Sequence, residues 1–144
     1  MKGTKKIYIG MYVLFMLVLR GCSSDYNEAI EYNWGIQLPE GYKKIYYLDS
    51  GSGFLGDGIR YNVFEYEEGI PQNAMEDFRY GKNTNFEEKI EEYLISLEVP
   101  TEEVLDFSQE YNWYMIKNES DPRERAYIIY VTEESRVYMI EELY

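Results

Sequence analysis

The sequence predicts an α+β fold: an antiparallel, twisted sheet of about five strands in the order β-β-α-β-β-β, with one main helix packed on a face. Three observations carry this. Five Tyr- and Ile-rich runs of strand length are bounded by Gly, Pro, Asp and Asn. Phe86, Ile90, Tyr93, Leu94 and Leu97 recur at the spacing of one helical stripe. No repeated strand–helix–strand alternation is present, so nothing calls for a parallel sheet.

Each element has its local reason. Residues 43–48 form the first strand, after the turn signal Leu38-Pro39-Glu40-Gly41. Residues 49–58 are a glycine-rich loop. Residues 59–66 form the second strand. Side chains alternate along it, so Ile59, Tyr61 and Val63 point one way and Arg60, Asn62, Phe64 and Tyr66 the other. Both sets are partly apolar, so the sheet is expected to be covered by the helix on one face and by the N-terminal tether on the other. Residues 67–82, with Gly69, Pro71 and Gly81, read as irregular. Thr84 or Asn85 is placed to cap the helix, with Glu87 or Glu88 three residues on to close a capping box. Glu87, Glu88, Glu91 and Glu92 lie largely away from the apolar stripe, as a solvated face. Pro100 stops the helix, and residues 101–107 make a further short helical turn. Strands follow over 111–117, 125–131 and 136–142. A polar loop containing Asp121-Pro122 separates the first two, and a four-residue hairpin at 132–135 separates the last two.

Composition bounds the chemistry. The 144 residues contain no histidine and one cysteine. That removes Ser-His-Asp and Cys-His catalysis, histidine-ligated metals and an intramolecular disulfide. Acidic residues outnumber basic ones 27 to 14, for a net charge of −13. A chain this acidic repels the phosphates of nucleic acid. A hydrophobic fraction of 45% and an aromatic fraction of 17% argue for a packed core.

The front of the chain carries the strongest pattern. Lys2, Lys5 and Lys6 precede an uncharged, mostly apolar stretch at 7–19. Its length fits a secretory signal of roughly 7–15 apolar residues and falls short of the ~20 that span a membrane. Leu19, Arg20, Gly21 and Cys22 then resemble a bacterial lipobox, with Leu at −3, a small residue at −1 and Cys at +1. Arg20 departs from the pattern, in which −2 is small and uncharged. The resemblance implies a signal peptide over 1–21, cleavage before Cys22 and diacylation of its thiol. Residues 22–37 are then a lipidated tether and 38–144 a single domain. It also implies a place on the extracytoplasmic face of a bacterial membrane. Removing Lys2, Lys5, Lys6 and Arg20 leaves 10 basic against 27 acidic side chains, a charge of −17. Anionic lipid repels such a domain, so the acyl chains must hold it.

Further on, Gly51-Ser52-Gly53-Phe54-Leu55-Gly56 matches G-x-G-x-x-G, yet a strand rather than a helix follows, which argues against nucleotide binding. Gly56-Asp57-Gly58-Ile59-Arg60-Tyr61 resembles a GDG-x-R-Y segment of small, functionally uncharacterised lipoproteins of Gram-positive bacteria, over roughly 38–66. It implies a shared fold and no chemistry. Physically, Gly56, Asp57 and Gly58 form a tight turn, structural or ligand-contacting, with Arg60 placed to pair with Asp57. Asp49, Asp57, Glu65, Glu67 and Glu68 lack the EF-hand spacing, and no metal or cofactor is assigned. Tyr114, Tyr127, Tyr130, Tyr138 and Trp113 suit half-buried strands; on an open face they would stack on a sugar or a protein. No catalytic residue is assigned. The expected function is non-catalytic binding of a protein or envelope component. Two alternatives are an immunity-type protein that neutralises a basic toxin, and an envelope hydrolase using a carboxylate pair.

Overall fold

The computed structural model describes residues 25–51 and 57–144, which divide into two compact units meeting between Gln37 and Leu38. Leu19, Arg20, Gly21, Cys22 and Gly56 lie outside the described residues.

The first unit contains helix α1 (Asp25–Trp34). The stretch expected to be a tether is therefore partly helical. No Gly or Pro interrupts it, and Ile30 and Trp34, one turn apart, are its buried side chains. Gln37 closes the unit by donating to Glu31 at 2.7 Å.

The second unit holds β1 (Tyr42–Asp49), β2 (Gly58–Tyr66), β3 (Arg79–Tyr80), helix α2 (Thr84–Ser96), β4 (Tyr111–Lys117), β5 (Arg125–Val131) and β6 (Arg136–Leu143). The strands form one sheet in the order β1-β2-β6-β5-β4-β3, antiparallel at every junction. The fold is α+β, as expected, with six strands where about five were predicted. The extra strand, β3, pairs Arg79 with Trp113 and Tyr80 with Asn112. Two residues are too few to show alternation, so pairing to β4 alone defines it.

Alternation in β2 sorts the core as predicted. Tyr61 and Val63 share one face with Trp113, Tyr127, Ile129, Tyr138 and Ile140. The α2 stripe of Phe86, Ile90, Tyr93, Leu94 and Leu97 packs on this face. Phe86 lies 4.4 Å from the Trp113 ring and Tyr93 5.8 Å from the Tyr127 ring, both tilted. The opposite face, with Phe64, Tyr66, Ile128, Tyr130, Val137 and Met139, is buried as well. Within this unit the connection between β2 and β3 reaches it. Ile70 N–H donates to Tyr130 Oη at 3.4 Å, and Phe78 sits 5.9 Å from Tyr114.

The helix start differs from the prediction by one residue. Asn83, extended at φ −138°, accepts the Phe86 N–H at 3.2 Å. With Asn83 as cap, the third helical position is Phe86, so no capping box closes. Glu87 instead accepts from Tyr111 Oη at 2.6 Å. Beyond Pro100 the helical turn is a short 3-10 segment, Thr101–Glu103.

Candidate functional site

The stems of the connection between β1 and β2 carry Asp49 on one side and Gly58 and Arg60 of the GDG-x-R-Y segment on the other. Asp49 and Arg60 face each other in the β1–β2 register. Arg60 Nε donates to Asp49 Oδ2 at 3.0 Å, and Tyr47 Oη donates to the same oxygen at 2.9 Å. Gly51 N–H donates to Oδ1 at 2.9 Å. Burial alone would raise the Asp49 carboxyl; the bonds from Tyr47, Arg60 and Gly51 outweigh it and hold the pKa below its ordinary value. Arg60 is correspondingly raised: burial works against its charge, and Asp49 and the neighbouring Glu141 overcome that. Glu141 is Arg60's register partner on β6, and it is buried.

The expected pairing of Arg60 with Asp57 does not form. Asp57 is exposed and precedes β2, whereas Asp49 lies directly across the ladder from Arg60. Arg60 is thereby committed to structure. Gly58 is structural too. At φ +157° its missing Cβ would lie 2.7 Å from Ser50 Oγ, and that hydroxyl accepts the Ile59 N–H at 2.8 Å. Any side chain at Gly58 would push into the hydrogen bond that closes the loop.

The acidic residues weighed as calcium ligands are not gathered. Asp49 is held by Arg60, and Glu65 by Arg136 at 3.2 Å. Among the described residues no group of three or more acidic or cysteine side chains is placed to hold a metal ion. Hydrogen bonds from Ser108 hold Asp106, and from Arg123 hold Asp121, below the ordinary carboxylate range. A general acid requires the reverse shift.

Ile95 and Tyr80 are among the large apolar side chains that packing leaves exposed. Ile95 falls off the buried α2 stripe and is 77% exposed. Glu91 and Glu92 precede it by one turn, and Glu88 by two; all three are exposed. Tyr80, on β3, is 70% exposed. The aromatics considered for an open sheet face are instead mostly interior: Trp113, Tyr127, Tyr130 and Tyr138 are all buried.

Comparison with known proteins brings no relative to bear: no family model, curated protein or solved structure matches the chain.

Proposed function

We propose that this is a lipid-anchored protein on the extracytoplasmic face of a bacterial membrane, whose acidic, non-catalytic domain binds a protein with a basic surface. The observation that carries the binding role is Ile95, 77% exposed on α2, with the exposed carboxylates of Glu91 and Glu92 one turn and of Glu88 two turns before it on the helix. An apolar side chain beside a charged rim supplies the anchor of a contact. The rim supplies attraction over distance and repels wrong partners. The anchoring role rests on the lipobox-like Leu19, Gly21 and Cys22 and on the apolar stretch before them. Two acyl chains on Cys22 are enough for stable attachment, which one chain is not. An immunity-type role, in which the partner is a basic toxin, uses the same surface and the same charge logic.

Two measurements test this separately. The protein should sediment with membranes, and Cys22→Ala should release it; unchanged partitioning of that variant sinks the lipid anchor. A photo-crosslinking residue in place of Ile95 should capture a basic protein in intact cells. Capture should fall steeply with added salt and with Glu88→Lys, Glu91→Lys and Glu92→Lys combined. Equal capture from an exposed position off this helix, such as Glu119, would remove the face from consideration.

A further inference from the structure

A groove of about 350 Å³ opens at the β3 end of the sheet, between residues 80–82 on one side and 109–112 on the other. We propose that it binds a neutral pyranose, as one unit of a glycan chain. It shares no residue with the acidic face around Ile95, so it stands independently of the function proposed above.

The aromatic wall is Tyr80. Its backbone is fixed by pairing with Asn112, yet 70% of the residue faces solvent. A ring carried on a paired strand and left bare offers a flat surface to the C–H face of a sugar, with only two side-chain torsions to fix. Gly81 follows at φ +90°, and a Cβ there would meet nothing within 4 Å, so the turn between Tyr80 and Lys82 is open. Tyr111, next to Asn112 on β4, also lines the groove and is buried. Its hydroxyl accepts the Asn83 N–H at 3.1 Å and donates to Glu87 at 2.6 Å. Burial, then the bond to Glu87, pushes its pKa up to about 12, so the hydroxyl stays neutral.

The polar lining matches hydroxyl groups. Gln109 and Asn112 each carry an amide, which both donates and accepts, as a sugar hydroxyl does. Gln109 is already oriented by donating to Glu134 at 2.6 Å. Asn112 Nδ2 rests 4.0 Å from Met75 Sδ, a weak contact that a ligand hydroxyl replaces at small cost. Lys82 and Glu110, both exposed, add one charge of each sign, so the lining is neutral overall. The nearby Asp106 feels the Lys82 charge, and the chain as a whole carries −13. A uronate or sulfated sugar is repelled by that excess, whereas an uncharged sugar is not. The volume lies near the lower end of the roughly 300–1,000 Å³ typical of small-molecule sites, enough for one or two sugar rings.

The test is calorimetric titration of the full-length protein with chitotetraose, cellotetraose and maltotetraose. At least one should bind saturably. Tyr80→Ala should weaken that binding by about tenfold or more, the loss of one stacked ring. The melting temperature of Tyr80→Ala should stay unchanged, because the ring is solvent-exposed. Tyr144→Ala, which removes another half-exposed tyrosine, should leave binding intact. No saturable binding in the series overturns the proposal, and so does equal weakening by both variants. Tighter binding of an oligogalacturonate would overturn the assignment of a neutral ligand.

Discussion

Asn62 lies in the middle of β2, between Tyr47 on β1 and Met139 on β6 in the register, and is 0% exposed. Neither Nδ2 nor Oδ1 has a hydrogen-bond partner among the described residues. A buried amide without partners is a standing cost to the fold. Asn62→Leu, close in volume, should therefore raise the unfolding free energy by about 1–2 kcal/mol in urea titration. A drop in stability would show that the amide is bonded in solution. Asp49 makes the opposite case, a polar side chain fully engaged. Its folded pKa lies below the unfolded value, so the native state binds fewer protons. The resulting stabilisation is present near neutrality and is lost as pH falls through the lowered pKa. In melting curves between about pH 6 and 2, Asp49→Asn should be less stable than the parent at the upper end, and the gap should close toward the lower. The pair is partly solvated, with the Asp49 side chain 25% exposed, so the effect is modest.

At the scale of elements, α2 shows how a helix is fixed at both ends by groups that its apolar stripe does not reveal. Asn83 caps the start. At the other end Val99 N–H donates to Leu94 O at 3.1 Å, and Leu97 N–H to Tyr93 O at 3.0 Å. Between them Glu98 takes φ +55°, the left-handed conformation that glycine normally supplies at a helix stop. A side chain there is strained by about 1–2 kcal/mol. Glu98→Gly should accordingly raise the unfolding free energy by about 1 kcal/mol, less the added chain entropy. Chemical denaturation of the purified variant checks it; a destabilisation would mean that the Glu98 side chain makes a compensating contact.

Across the whole sheet, the central strands β2, β5 and β6 are buried on both faces and the edges are managed differently. β1 carries exposed Lys43 and Lys44 and a register shift between Lys44 and Tyr46, devices that discourage another strand from pairing there. β3 covers β4 at Asn112 and Trp113 only. The charge of −13 acts on the molecule as self-repulsion. Raising salt from about 10 mM to about 300 mM shortens the screening length from ~30 Å to under ~10 Å. The melting temperature should rise with it. A fall would mean that ion pairs such as Arg60–Asp49 and Arg136–Glu65 outweigh the excess of carboxylates.

Much of this architecture is written in local sequence. Period-two alternation placed Tyr61 and Val63 on one face and Asn62 and Phe64 on the other. Helical spacing assigned Phe86, Ile90, Tyr93, Leu94 and Leu97 to the core, because both periods follow from backbone geometry alone. The six-stranded order, with β2 beside β6, joins residues more than seventy positions apart, such as Glu65 and Arg136, and no local pattern encodes such a pair. The same holds for the site residues. Arg60 pairs with Asp49 across a ladder and not with Asp57 three residues away, since register sets distance in a sheet and spacing along the chain does not. Helical spacing already leaves Ile95 off the core stripe, whereas Tyr80 is an ordinary strand residue in sequence, and only packing decides that it is left outside the core.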